Sequence, residues 1–279
     1  GVFLAWAVIR TDVPGRGLWR SLLAIPYLIP PFIGAISWTF LLGPVGFFNQ
    51  LWQSAAGASQ PLVDLYSLGG MVFVMSIYRY AVPYVVVLPA MKKVNAAVEE
   101  AARVSGASPW RTLRDVTLPL LTPSILGATL LVFMFILADF GVSAVLGAPN
   151  QIRLMTTQIY AIINRPDLPG NLQLAAAYSL LLALFGLLGL ALYNRVLAAQ
   201  KYVVVSGKSA PVQPTPLGKG KWGLFAFLLV VFSVTTLAPI LATLTTSLTK
   251  TFGLPFGPDN VTLRNFSRLL TIRNIRRAF

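Results

Sequence analysis

Five long runs of apolar residues, nearly free of charge, dominate the chain. They cover roughly residues 21–43, 69–91, 120–146, 172–193 and 222–247. At a rise of 1.5 Å per residue, a 23-residue helix covers about 34 Å, enough for a hydrocarbon core of about 30 Å with some tilt. The pattern therefore predicts five transmembrane helices in an all-α polytopic bundle. An earlier run, Val2–Ile9, is too short to span, and residues 1–10 read as the back half of a helix whose front precedes Gly1. The other end, Arg276-Arg277-Ala278-Phe279, stops in a polar stretch and reads as a fragment boundary. Pro26, Pro30 and Pro31 lie in the first long run, and Pro83 and Pro89 in the second. Each proline costs a water-exposed helix about 3 kcal/mol, but packed neighbours in a membrane bundle can re-satisfy the freed carbonyls. Kinked helices around a pathway are the expectation.

Charge fixes the orientation. Only 11% of the residues are charged, yet Lys and Arg outnumber Asp and Glu by 22 to 8, a net +14. Basic residues number three in 10–20, five in 92–119 and five in 194–221, against none in 44–68 and two in 148–171. Cytoplasmic loops carry the excess of Lys and Arg, so the first group faces the cytoplasm. The same count accounts for the basic balance without nucleic acid as a partner; the partner the composition demands is a lipid bilayer. Residues 247–279 dissent, carrying six basic residues where alternation places them outside; either the last helix is misread or this stretch lies along the membrane surface before a next span. Residues 201–221, rich in Pro, Gly, Ser and Lys, read as a flexible linker. The expected organisation is one membrane unit over 1–200, the linker over 201–221, and the start of a second unit over 222–279.

The absence of Cys and His excludes a disulfide framework, His- or Cys-based metal sites and His-based nucleophilic catalysis. No cofactor or metal is implied. Gly218-Lys219-Gly220-Lys221 lacks the upstream glycine and the following Ser or Thr of a phosphate-cradling loop. An integral-membrane enzyme would need clustered carboxylates, a Ser/Lys pair or metal ligands at membrane depth, and the spans offer only Arg79 and Asp139.

The loop 92–119 is the informative one. Val94, Ala97, Val98 and Ala101 fall at helical spacing, and Glu99 and Arg103 are placed to pair at i,i+4 on another face. Gly106 suits the left-handed position that ends this helix. Ser108 is an N-cap and Pro109 a first helical residue, so a second helix bearing Trp110, Arg111 and Arg114 starts there. Pro119 is expected to end it before the next span. A well-capped connector is the plain alternative, and a helix-turn-helix element is disfavoured because both ends are tethered at the bilayer.

The run Glu100-Ala101-Ala102, three residues, Gly106, nine residues, Val116-Thr117-Leu118-Pro119 resembles the EAA motif of ABC-type importer permeases. That pattern is E-A-A, three residues, G, nine residues, I-x-L-P, with Val116 the single departure. The resemblance implies a type I importer permease of the bacterial inner membrane, not itself an enzyme, working with an ATP-binding subunit dimer and a periplasmic or extracellular solute-binding protein. It gives Glu100, Ala101, Ala102 and Gly106, with Trp110 and Arg111 beside them, the docking role toward the ATP-binding subunit. Arg10-Thr11-Asp12-Val13-Pro14-Gly15-Arg16, Gly43-Pro44, Ala138-Asp139-Phe140-Gly141 and Thr156-Thr157-Gln158-Ile159-Tyr160 look like ferric-iron-type permeases, which often fuse two halves through a linker. Thiamine, phosphonate and polyamine permeases share much of this layout.

Arg79 and Asp139 fall within the predicted spans. Intramembrane charges cost about 2.5–3.5 kcal/mol on insertion scales and usually face the bundle interior. Their depths on antiparallel neighbours, about 15 and 10 Å from the outer ends, allow an ion pair near the pathway. Asn49, Asn150 and Gln158 lie near outer helix ends, as candidates to meet a binding protein or as plainly solvated residues, and Trp6, Trp19, Trp38, Trp52 and Trp222 suit interfacial anchoring.

Overall fold

The computed structural model describes residues 1–199, 214–254 and 257–272. Most of the predicted linker, 201–213, lies outside them, as does 273–279 of the basic end. The described residues form helices and two isolated β-bridges, with no strand among them. In chain order come α1 (Val2–Arg10), α2 (Arg16–Leu22), α3 (Ile25–Leu28), α4 (Pro31–Leu42) and α5 (Phe47–Ala56). Then follow α6 (Leu68–Arg79), α7 (Ala81–Lys93), α8 (Ala96–Val104), α9 (Pro109–Thr112) and α10 (Leu118–Leu137). Last are α11 (Met155–Ile163), α12 (Asn171–Ala199), α13 (Gly220–Phe232), α14 (Ala238–Ser247) and α15 (Arg264–Thr271). Five stretches are long and apolar enough to cross a membrane: Pro31–Ala56, Leu68–Lys93, Pro109–Leu137, Asn171–Arg195 and Gly220–Ser247.

Two predicted spans need correction. Hydropathy predicts a crossing over 21–43, but Ile29 turns to extended backbone and Pro30 and Pro31 restart the chain as α4, so the candidate span begins at Pro31. Proline disfavours helical backbone in the residue before it, and two in a row make the break complete. The run 120–146 ends early as well: α10 stops at Leu137, and Asp139 lies just past its end.

Pro119 does not end the second loop helix. Leu113–Thr117 instead forms a π-turn, closed by the Leu118 N–H on the Leu113 carbonyl, so that Pro109–Leu137 runs on as one rod. The same device recurs at Ser143–Gly147 before Pro149 and at Ser233–Leu237 before Pro239. A proline ring collides with the carbonyl four residues earlier, and a locally widened turn is one way a helix absorbs that collision.

The chain divides into two compact units. The first takes Gly1–Ile29, Ser76–Phe140 and the described part of Arg153–Phe232. Its core gathers Leu4, Val8, Ile9, Trp19, Leu23, Tyr84, Val87, Met91, Leu121 and Leu228. Here α7 packs between α1 and α10, and α12 packs on α10 and α11. Gly189 allows the α10–α12 approach, since a Cβ there would sit 2.5 Å from the Phe133 ring.

The second unit takes Pro30–Met75, Gly141–Ile152 and the described part of Ser233–Phe279. Within it α4 packs on α14, with Ser37 Oγ 2.7 Å from Thr243 Oγ1. Trp38 lies edge-on to Phe73 at 5.1 Å. The basic segment after α14 folds back on itself: Asn265 donates to the Ser247 and Thr249 carbonyls, and Asn260 to those of Thr251 and Leu254.

Candidate functional site

The loop between α7 and α10 is built by its caps. Asn95 Oδ1 accepts from the Ala97 N–H at 3.0 Å and starts α8. At the other end Gly106 takes φ +87°, its N–H reaching the Arg103 carbonyl and the Ala107 N–H the Ala102 carbonyl. This is a Schellman closure, and its left-handed position suits glycine. Ser108 Oγ then accepts from the Arg111 N–H at 3.3 Å and begins α9 with Pro109 behind it. Ser108→Ala is expected to loosen this turn by about 1 kcal/mol; hydrogen exchange of the 110–113 amides should accelerate about fivefold, with the α7 amides unchanged.

The face of α8 differs from what its apolar spacing suggests. Ala97, Val98, Ala101 and Val104 are exposed, with Val104 85% open, while Glu99 is 5% exposed. Glu100 and Gly106 are exposed and Ala102 is half-buried. On α9, Trp110 is 62% exposed and Arg111 is open, its side chain 3.4 Å from Asp115. The loop thus presents alanines, two valines, an indole and charges outward, while the Glu99 carboxylate turns inward. The expected Glu99–Arg103 pair is not formed.

Glu99 finds its partners elsewhere. Its Oε2 lies 3.0 Å from Arg10 Nε, and its Oε1 accepts from Thr117 Oγ1 at 2.7 Å. Arg10 Nη2 donates to the Met91 and Val94 carbonyls at 3.0 and 3.1 Å, at the end of α7. Arg103 Nη1 donates to Thr215 Oγ1 at 3.0 Å, and the Thr215 N–H to the Arg10 carbonyl at 2.8 Å. Sequence reasoning missed this cluster because its members, from Arg10 to Thr215, lie up to 205 residues apart. The available signal was a second acidic residue directly before Glu100.

Arg79 closes α6 and Asp139 follows α10. Arg79 Nη2 lies 2.9 Å from Asp139 Oδ2 and donates to the Phe135 carbonyl at 3.1 Å. The guanidinium also sits 5.4 Å above the Phe135 ring, within cation–π range. The two side chains are 15% and 5% exposed. Thr156 Oγ1 donates to the Asp139 carbonyl and fastens α11 to the same point.

The family described as binding-protein-dependent transport system inner membrane component matches residues 1–201. The chain belongs to that family. It is an ABC importer permease subunit and a multi-pass inner-membrane protein; importers of this kind work with ATP-binding subunits and solute-binding proteins. The molybdenum transport system permease protein of Escherichia coli K12 is 28% identical over 190 residues, covering 67% of this chain and 81% of that protein. The ferric transport system permease protein of Actinobacillus pleuropneumoniae is 27% identical over 238 residues, 81% of this chain but 34% of that protein. A probable sulfate transport system permease protein of Marchantia polymorpha is 31% identical over 154 residues, 54% of this chain and 50% of that protein.

The remaining polar candidates of this permease differ in their surroundings. Asn49 is fully buried: its Nδ2 donates to the Leu42, Gly43 and Val63 carbonyls, and its Oδ1 accepts from the Leu62 and Val63 N–H groups. Asn150 donates to the Tyr66 carbonyl, and Gln158 is half-buried. Trp19 and Trp38 are core residues of their units, while Trp52 and Trp222 stay exposed. On the exposed 148–171 loop a hydrogen bond from Arg165 holds the Asp167 carboxyl below its ordinary value. A 520 Å³ cleft between α10 and α12 is apolar except for Ser179, whose hydroxyl is used by the Ala175 carbonyl. Among the described residues no group of three acidic residues is placed to hold a metal.

Proposed function

We propose that the outward face of α8 and α9 in this permease docks on an ATP-binding subunit, with Glu100, Ala101, Ala102, Gly106, Trp110 and Arg111 as its contact set. The observation that carries the reading is the inverted helix: α8 buries Glu99 and exposes Ala97, Val98, Ala101 and Val104 beside Glu100. An isolated helix gains nothing from that arrangement, whereas a partner surface approaching over alanines buries apolar area. Trp110 supplies the large aromatic anchor that interfaces favour near their centres. Glu100→Arg and Gly106→Val test it. The first reverses the charge offered to the partner, and the second forces a β-branched side chain into a left-handed position, at a cost of roughly 1–2 kcal/mol. Both variants are expected to reach the membrane but to lose co-purification with the ATP-binding subunit. An intact complex with both would overturn the docking assignment.

The proposed organisation is a first permease half over 1–200, a linker over 201–221, and the beginning of a second half at 222. The ferric relative supports it: the match takes in 81% of this chain and only 34% of that protein. The same relative supports ferric iron as the solute, delivered by the binding protein and passed inward by alternating access. The molybdenum permease, covered over 81% of its own length, favours an oxyanion as the second reading. Uptake by vesicles carrying the whole transporter with its binding protein decides between them. Iron accumulation unaffected by excess molybdate or sulfate is expected; molybdate or sulfate accumulation would reject iron.

A further inference from the structure

The Arg10–Glu99 pair needs an explanation that stability does not supply. Both side chains are nearly closed to solvent, 4% and 6% exposed. A buried ion pair often contributes no more than a well-packed apolar pair of the same volume, whereas it does fix which groups must meet. What it fixes here is unusually broad. Arg10 ends α1 and reaches the last carbonyls of α7, where a cation also complements the helix dipole. Glu99 sits on the inward face of α8 and takes the Thr117 hydroxyl from the π-turn that leads into α10.

A second arm leaves the same face. Arg103, four residues after Glu99, shares its side of the helix and reaches Thr215. The Thr215 segment lies alongside Thr11 in a parallel bridge, and the Leu217 N–H donates to Asp12 Oδ1 at 2.9 Å. Three residues later α13 begins. One small helix is therefore fastened on its inner side to α1, α7, the root of α10 and the entrance to α13, while its outer side stays open.

We propose that Arg10, Glu99 and Arg103 are positioning residues of a buried cytoplasmic latch. Through it, displacement of α8 by the ATP-binding subunit is delivered jointly to α1 and to the segment entering α13. This rests on the docking role of the outer face. Motion imposed on α8 cannot be taken up locally, because moving it alone would strand a buried carboxylate and a buried guanidinium. The entrance to α13, 112 residues from Arg103 in sequence, then moves with the loop between α7 and α10 without touching the ATP-binding subunit.

The chain has no cysteine, so thiols introduced into it can be labelled singly or in pairs before it is assembled with its partners. Spin labels at Arg114→Cys beside α8, Leu18→Cys on α2 and Lys219→Cys before α13 report the latch. The latch requires both distances from Arg114 to hold within about 2 Å between the resting and ATP-trapped states, the scale of packed-helix shifts. A change of about 5 Å or more in either distance, on the scale of a one-turn slip, would overturn it. A single label at Val104→Cys reports docking independently: if it is not immobilised by the ATP-binding subunit, the docking reading fails while the pair distances still judge the latch. Glu99→Gln should leave the complex assembled and hydrolysing ATP, broaden both distances, and lower solute transported per ATP about tenfold. Thr117→Val, which removes one bond of the cluster, should do the same about threefold. Unchanged transport per ATP in both variants would reject the role; should Glu99→Gln fail to fold, the unmutated-latch distances and Thr117→Val still decide.

Discussion

Asp139→Leu is expected to destabilise the first unit by about 3–5 kcal/mol, the cost of leaving one member of a buried ion pair without the other. The remaining Arg79 guanidinium would keep its bond to the Phe135 carbonyl and its place over the Phe135 ring, but its charge would face low-dielectric surroundings unneutralised. Arg79→Leu/Asp139→Leu removes both charges at once and should recover most of that loss. Thermal unfolding of the four proteins in detergent closes the cycle. A single variant as stable as the parent, or a double variant no better than the worse single, would reject the pairing as structurally important. Transport by the stable double variant then separates two roles. Retained transport makes the pair a clamp between the ends of α6 and α10; lost transport with the fold intact places it on the pathway. Asp139→Asn should be milder, costing about 2 kcal/mol, because a neutral acceptor still receives the arginine hydrogen bond.

Asn49→Leu is expected to cost about 3 kcal/mol in the second unit. The side chain is fully buried and joins the end of α4 to residues 62 and 63 through five hydrogen bonds. Leucine fills a similar volume but supplies neither donor nor acceptor, so several backbone groups lose their partner, each at about 1–3 kcal/mol where water cannot replace it. Asn49→Asp is a sharper comparison: the acceptor survives and the three donations to carbonyls do not. Both variants should expose residues 57–67 to limited proteolysis, and resistance equal to the parent protein's would contradict the assignment.

Hydropathy reads length and composition well, and each of the five predicted crossings overlaps a candidate span, with shifted ends. It is blind to backbone restriction, so the apolar run 21–43 reads as continuous across Pro30-Pro31, where the chain restarts. It is equally blind to a helix that ends inside an apolar run, as α10 does at Leu137. The cap residues Asn95, Gly106, Ser108 and Pro109 act within four residues of themselves, and local rules find them. Glu99 shows where local rules stop. Its i,i+4 neighbour Arg103 is the partner that spacing proposes, while the structure gives it Arg10, 89 residues away, and sends Arg103 to Thr215. For Arg79 and Asp139, the antiparallel order of neighbouring helices supplied a depth for each, and that long-range constraint is what periodicity lacks elsewhere.

The π-turn at Leu113–Thr117 carries one more residue than an α-turn between the docking loop and α10. In a regular α-helix an added residue would turn everything before it by about 100°, but a single widened turn takes that residue up between two α-helical segments. Deleting one residue within 113–117 would let the turn close to α geometry and leave the bearing of Trp110 relative to α10 nearly unchanged. The same deletion in the α-helical part of the rod would swing the outward face of the loop by about 100°. The aim of this surface is thus buffered at one place in the rod, and only there.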